Sequence, residues 1–462
     1  MTAKMTDWKA YFKGKKITIM GLGVLGRAIG ITQFLASLGA ELTVTDLKSV
    51  EQLRPSIIKL KKYPNIKYTL GKHKLEDFKN RDIIIKSVGV PLDSIYIKEA
   101  KKNKIPIEMD VSLFWKLAPE VKMVGVTGTR GKSTVTQIIF EILTLAFSGA
   151  STKIFLGGNV RGVATLPLLE KVKAGDVMVA ELDSWLLQGF GDSKMSPNVS
   201  VFTNLMPDHM NYYKGSIEKY FKDKTNIFKY QNKNDFLIVG KDLSRTRSNL
   251  VRTKGKILLV SPTIVPKSWK LNIIGEHNLE NIACAILACR ALGISEEKIK
   301  KGVESFEAVQ GRLELLRNYK GVKIYNDNNA TTFQATAVAI KALKKEAKNG
   351  KVVLIMGGSS KGLDPAPLLS VLKSPVFAVV LLPGTGTDEI KGKFLLARWH
   401  LAIASGIKII ESKNLKDAVQ KSLKEAKKGD TILFSPAFAS FGLFKNEYDR
   451  NDQFVKIIKN LK

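Results

Sequence analysis

The run Met123–Val126 leads straight into Thr127-Gly128-Thr129-Arg130-Gly131-Lys132-Ser133-Thr134, and an apolar helical stretch follows from Val135. A glycine-rich turn between a strand and a helix aims backbone N–H groups at an anion, and the helix start adds its positive end. The N–H groups from Gly128 to Ser133 suit a polyphosphate. Lys132 can reach the β- and γ-phosphates of ATP, and the Ser133 hydroxyl suits Mg²⁺. The strict Walker spacing asks for glycine at 126, where valine stands, so the general pattern fails by one residue. The physical kit for phosphoryl chemistry is complete all the same.

A second turn of related logic lies upstream. Lys16–Met20 runs into Gly21-Leu-Gly23-Val-Leu-Gly26, a helical stretch reaches Leu38, Gly39 ends it, and Glu41–Thr45 reads as the next strand. Asp46 closes that strand. Glycines at this spacing permit a tight turn and close approach to a pyrophosphate, while the acid can bond a ribose hydroxyl. Taken alone, this turn favours an NAD-dependent dehydrogenase. Such an enzyme has no use for the second loop, which moves the balance to phosphoryl transfer.

These groups need strands to hold them. Short β-branched runs alternate with helical stretches, as in parallel α/β architecture. Expected strands are Ile17–Met20, Leu42–Thr45, Ile83–Ile85, Met123–Val126, Val177–Glu181, Val201–Thr203, Phe236–Val239, Ile257–Val260, Val352–Met356, Val376–Leu381 and Thr431–Phe434. Each glycine turn normally opens its own sheet, and a third α/β unit starts after Val309. A chain of 462 residues accommodates two or three domains.

Composition narrows the class. The chain is 44% hydrophobic and 25% charged, which is globular. No apolar run approaches the roughly 18 residues of a membrane span, and the first residues carry no apolar signal region. Cys284 and Cys289 do not form C-x-x-C and suit a reducing compartment, so a cytoplasmic location is expected, and separately a monomer. The net charge of +32 raises nucleic-acid binding as an alternative, but only 13 of 74 basic residues are arginine, and lysines spread along the chain. No zinc-finger, RRM or KH pattern is present. A solvated lysine surface is the simpler account, with no nucleic acid and no membrane as partner.

At Thr127–Thr134 the sequence resembles the Mur ligase family, whose members carry T-G-T-x-G-K-[ST]-T with the same shortened spacing. Further segments are similar in the family's order: Gly157-Gly158-Asn159, Glu181-Leu182-Asp183-Ser184-Trp185, Thr203-Asn204 through Asp208-His209, Gly275-Glu276-His277-Asn278 with Asn281, Gly311-Arg312-Leu313-Glu314, and Asn326-Asp327. Three features resemble the branch that adds D-glutamate. They are the first glycine turn with Ser87-Val88-Gly89-Val90-Pro91, then Gly357-Gly358 through Lys361, and Ser435-Pro436-Ala437 through Ser440-Phe441 and Phe444-Lys445-Asn446. Departures from that branch are Asn329 for lysine, Glu447 for an aromatic, Val88 for proline and Gly311 for a frequent histidine. They bear on amino-acid recognition.

The resemblance implies three α/β domains: an N-terminal Rossmann-like domain for a UDP substrate (1–110), a central P-loop ATPase-type parallel sheet (111–308), and a C-terminal Rossmann-like glutamate-ligase domain (309–462). It implies an ATP- and Mg²⁺-dependent amide ligase acting on UDP-N-acetylmuramoyl-L-alanine and glutamate through an acyl phosphate. A ligase of this type with another amino acid, such as L-glutamate, is the alternative. By the same resemblance Gly128, Thr129, Arg130, Gly131, Lys132, Ser133, Thr134, Asn278, Asn281, Arg312 and Asp327 hold ATP. Arg312 is expected near phosphate and Asp327 near ribose, where the third domain closes over the nucleotide. Gly21, Gly23, Gly26, Asp46, Ser87, Gly89 and Asn159 hold the UDP substrate. Thr331, Lys361 and Ser440 hold glutamate. Ser133, Glu181, His209 and Lys224 surround the metal, with Lys132, Glu181, His209 and Lys224 as the catalytic set. Lys224, in Tyr220-Phe-Lys-Asp-Lys224, corresponds to a family lysine that carries a carbamate.

Overall fold

The computed structural model describes residues 7–240, 243, 251–346, 350–372, 375–391 and 406–461. Among these residues the strands form three sheets, and every strand expected from the sequence coincides with or overlaps an observed one.

The first sheet contains β1 (Lys16–Met20), β2 (Glu41–Asp46), β3 (Lys67–Leu70), β4 (Ile83–Lys86) and β5 (Ile107–Glu108), in the order β3-β2-β1-β4-β5 and all parallel. Chain order reverses on either side of β1. Parallel sheets leave a crevice beyond the strand ends at such a point, and the first glycine turn lies there.

The second sheet contains β6 (Lys122–Thr127), β7 (Ile154–Gly158), β8 (Val177–Glu181), β9 (Val199–Phe202), β10 (Phe236–Val239) and β11 (Lys256–Leu259), in the order β11-β10-β9-β6-β8-β7. It too is parallel, and β6 sits between β9 and β8 at the reversal. The central strands are buried on both faces, which explains their continuous Val, Met and Ala runs.

These two sheets belong to one compact unit, residues 1–267 and 280–303. A single apolar cluster runs from Ile17, Ile19 and Phe34 through Leu113 and Phe114 to Met178, Leu186 and Phe190. The helix Asp110–Leu117 is buried along almost its whole length, packing on the helix Ser184–Asp192 and on the turn Leu166–Glu170. Apolar burial of this extent fixes the two sheets relative to each other.

The other unit comprises residues 268–279 and 304–462. Its sheet contains β12 (Glu314–Tyr319), β13 (Val322–Asn326), β14 (Val352–Gly357), β15 (Val376–Leu382), β16 (Lys408–Glu411) and β17 (Thr431–Phe434), in the order β12-β13-β17-β14-β15-β16. All neighbours are parallel except β12 and β13, which form a hairpin. Lys320 and Gly321 both take positive φ (52° and 84°), the two-residue turn whose twist matches paired strands. No helix among the described residues is long and apolar enough to cross a membrane.

Candidate active site

The ends of β6, β8 and β7 lie side by side, with Val126 opposite Glu181 and Glu181 opposite Gly158. The phosphate loop leaves β6 here. Gly128 takes φ +139°, and a Cβ there would meet the Thr203 hydroxyl at 2.0 Å; Gly131 takes φ +83°, and a Cβ there would meet the Asn281 side chain at 2.3 Å. Both positions demand glycine on two counts, backbone conformation and space.

The loop is braced by the segment after β9. Thr129 N–H donates to the Asn204 carbonyl (2.9 Å) and Arg130 N–H to the Asn204 side chain (2.8 Å). The Thr203 hydroxyl donates to the Arg130 carbonyl (2.6 Å), and Thr129 shares a hydrogen bond with the Tyr220 hydroxyl (3.3 Å). Thr203-Asn204 is visible in the sequence as a motif without an evident task; its task is to hold this loop. Lys132 opens the helix Lys132–Ala146 and donates to the carbonyls of Gly128 (3.1 Å) and Thr129 (3.0 Å). Ser133 and Thr134 follow in the first turn.

Lys224 is placed where its sequence neighbours would not suggest. Lys222 is exposed, whereas Lys224 on the helix Ile217–Thr225 is 1% exposed. Its Nζ donates to Thr127 Oγ1 (3.2 Å) and to the Gly128 carbonyl (2.9 Å), and it lies 4.8 Å from the Tyr220 ring centroid. Burial, aided by the nearby Lys132 charge, pushes its amine well below the ordinary lysine range, against the pull of Asp183, Asp208 and Glu181. Lys224 is therefore not a surface lysine.

His209 takes a left-handed backbone (φ 55°) in the loop after β9 and lies 4.5 Å, centroid to centroid, from Trp185. Burial holds its imidazole below the ordinary value, with Asp208 opposing. No group of three or more His, Cys, Asp and Glu able to hold a metal occurs among the described residues. The oxygen donors present, the Ser133 hydroxyl and the buried Glu181 carboxylate, fit Mg²⁺, which keeps waters and takes most ligands from substrate phosphates.

The first glycine turn is organised by Asp46. One carboxylate oxygen accepts the Gly23 N–H and the other the Lys48 N–H, each at 2.9 Å. Across the reversal point Ser87, at the end of β4, donates to the Gly21 carbonyl. Gly23, Gly26 and Gly89 all take positive φ, and nothing lies within 4 Å of a Cβ built on any of them. Arg27, not anticipated from the sequence, opens the helix Arg27–Ser37 and donates to the Gly158 carbonyl (2.8 Å) and the Asn159 side chain (3.1 Å). Asn159 N–H in turn donates to the Glu181 carbonyl (2.7 Å). A chain of hydrogen bonds therefore connects the first turn to the end of β8.

The helix Glu276–Ala291 carries both Asn278 and Asn281. Asn281 packs on Gly131, while the Asn278 amide donates to the Ile274 carbonyl (2.7 Å). In the second unit Asp327 is buried, its oxygens accepting the Leu313 N–H (3.1 Å) and the Ser435 hydroxyl (2.9 Å). Burial pushes its carboxyl up to about 7.

Loops leaving β13, β14 and β17 enclose a pocket of about 340 Å³. Thr331, Lys361 and Ser440 all line it, and Lys361 Nζ donates to the Thr331 hydroxyl (2.9 Å). Arg312, Asn329 and Glu447 line it too. Arg450, fully buried, braces this region through Asn328 Oδ1 (2.8 Å), the Asn328 carbonyl (2.9 Å) and the Phe438 carbonyl (3.1 Å).

Comparison with known proteins agrees along the length. The family model for the MurD-like N-terminal domain of Mur ligases matches residues 15–108, that for the Mur ligase middle domain 126–263, and that for the Mur ligase glutamate ligase domain 311–438. The first match removes the dehydrogenase reading of the glycine turn. The chain is 31% identical to the UDP-N-acetylmuramoylalanine–D-glutamate ligase of Roseiflexus sp. (strain RS-1) over 478 residues, covering 97% of this chain and 99% of the relative. It is 32% identical to the enzyme of the same name from Borreliella burgdorferi (strain ZS7), covering 97% and 98%. In fold it is similar to the MurF ligase of Thermotoga maritima in complex with ADP, with a TM-score of 0.55 and 17% identity over 98% of this chain and 96% of that one. With relatives matched nearly end to end, the chain belongs to the Mur ligase family, in its MurD-like branch.

Proposed function

We propose that this chain joins D-glutamate to UDP-N-acetylmuramoyl-L-alanine at the expense of ATP, as a cytoplasmic monomer working in peptidoglycan precursor synthesis. The observation that carries this reading is the nearly full-length likeness to relatives bearing that enzyme name. In this reading the glycine turn at β1 takes the UDP diphosphate, the loop after β6 takes ATP, and the pocket with Lys361 takes glutamate. Domain boundaries near residues 110 and 308 separate these tasks.

In the first step an oxygen of the alanyl carboxylate attacks the γ-phosphorus, the bond to the β-phosphate oxygen breaks, and ADP leaves. The amine of glutamate, having lost its proton, then attacks the acyl carbon, and the tetrahedral intermediate collapses with loss of phosphate. Both steps gather negative charge on oxygen, which preorganised donors and cations stabilise. Lys132 and the loop N–H groups do so at phosphate, and Asn159 holds the acyl end of the UDP substrate. Ser133 and Glu181, with His209 and Lys224 nearby, would hold Mg²⁺, which would supply neutralisation of the charge gathered on phosphate oxygens. A buried neutral Lys224 amine is the species that combines with carbon dioxide to give a carbamate and a released proton, turning an obstacle to a cation into a partner for it.

Phosphate release with UDP-N-acetylmuramoyl-L-alanine and ATP, measured across amino acids, tests the reading. D-Glutamate should be the best substrate by kcat/KM, and a clear preference for L-glutamate, a neutral or a diamino acid would refute it. A second expectation concerns the first glycine turn. Asp46→Ala removes the acceptor of two backbone N–H bonds and should raise KM for the UDP substrate about tenfold, with a smaller effect on ATP. Micromolar binding of NAD by the wild-type protein in calorimetry would contradict the assignment of this turn.

A further inference from the structure

The pocket after β13, β14 and β17 holds two cations, Arg312 and Lys361, beside the hydroxyls of Thr331 and Ser440 and the amide of Asn329. Glu447 is the one acid in its wall. A site that had only to hold anions would be weakened by a carboxylate, since like charge across a small cavity repels. A helix start offers a simple reason for an acid, because Glu447 is the first residue of the helix Glu447–Lys459 and acids there are stabilised by the positive end of the helix dipole. That reason explains the charge but not its place in the wall.

The backbone beneath Glu447 is fixed from both sides. Asn446 caps the helix by accepting the N–H groups of Tyr448 and Asp449, each at 3.0 Å. The Glu447 carbonyl accepts the Asn328 amide (3.0 Å), and Asn328 is itself held by the buried Arg450. The Glu447 charge is felt by the buried Arg450 guanidinium. A carboxylate on a fixed backbone in the wall of a pocket that also holds two cations matches the charge pattern of a ligand with two carboxylates and one ammonium.

We propose that Glu447 receives the ammonium group of the incoming amino acid, so that the pocket reads an α-amino dicarboxylate as a whole. The ligand's carboxylates meet Lys361 and the two hydroxyls, and its ammonium meets Glu447. The role is recognition and orientation; the amine still has to lose its proton before it attacks. This inference rests on the reading of the pocket as the amino-acid site.

The test compares D-glutamate with glutarate, the same carbon chain without the amine, in the full-length enzyme. Glutarate is measured as an inhibitor competitive with D-glutamate, for the wild type, Glu447→Gln, Glu447→Asp and Lys361→Ala. Glu447→Gln should raise KM for D-glutamate about tenfold, the loss of one charged hydrogen bond, and should strengthen glutarate inhibition, with kcat changing less than KM. Glu447→Asp should recover part of the preference for glutamate. If Glu447→Gln moves both constants alike, or only lowers Tm, the residue serves the helix start and the proposal is overturned. If glutarate does not compete, or Lys361→Ala alters neither constant, the pocket is not the amino-acid site, and both the proposal and the reading beneath it fall.

Discussion

Lys132→Ala is expected to lower kcat by about 10²- to 10³-fold, the scale of one lost preorganised donor at a developing charge, or about 3–4 kcal/mol. The Lys132 ammonium donates to carbonyls of its own loop, Gly128 and Thr129. The shape of that loop is set elsewhere, by Thr203 and Asn204 and by two glycines that admit no side chain. Removing the amine therefore leaves the fold in place. Steady-state turnover with a melting curve checks both halves of the expectation. Wild-type turnover would remove the phosphate role, and a large fall in Tm would show that the lysine supports the loop.

The second large effect is expected at Lys224. Its Nζ reaches under the phosphate loop to Thr127 and Gly128, and its side chain is almost fully buried. Lys224→Ala should lose activity by at least about 10²-fold, because a charge beside the transferring phosphoryl group is lost together with a brace of the loop. Truncation also leaves a cavity, so Lys224→Met serves as a companion that refills most of the volume. Both variants should be inactive. Formate, acetate or bicarbonate should restore part of the activity to the Ala variant, which has room for a small carboxylate, and none to the Met variant. Full activity of either variant would show that the lysine has no part in the reaction. Equal rescue of both would show that the added anion acts elsewhere.

Much of this was legible in the residues. The parallel strands carry β-branched and apolar runs because both faces are buried, and the phosphate turns announce themselves where such a run meets glycine. Strands β3, β5, β7, β12, β13 and β16 were not read from the sequence. Lys67–Leu70 and Lys408–Glu411 mix exposed and half-buried residues at the sheet edges, and Glu314–Tyr319 carries neither an apolar run nor an alternating pattern. The division into units was legible only in part. Three sheets were expected and found, yet the first two share one apolar core through Asp110–Leu117, a contact between segments far apart in sequence.

The same limit applies within the site. Asp46 was read as a ribose ligand from its place after β2; that its oxygens also accept the Gly23 and Lys48 N–H groups of the turn was not visible in the spacing. Arg450 lies in Glu447-Tyr-Asp-Arg-Asn-Asp, a segment charged enough to look solvated, and is buried because Asn328 and the Phe438 carbonyl absorb its donors. Spacing along a chain shows which residues share a turn or a strand end; it does not show which distant carbonyls come to meet them. The high net charge has no physical account in this structure.

The central claim, that ATP is spent to activate the alanyl carboxylate for capture by glutamate, is tested most directly by following oxygen. The enzyme is supplied with ATP, D-glutamate and UDP-N-acetylmuramoyl-L-alanine labelled with ¹⁸O in both carboxylate oxygens, and the released phosphate is analysed by mass. Carboxylate attack on the γ-phosphorus followed by amide formation transfers one labelled oxygen to each phosphate, and phosphate release should require the acceptor. Unlabelled phosphate, or equal ATP hydrolysis in the absence of both other substrates, would contradict the account.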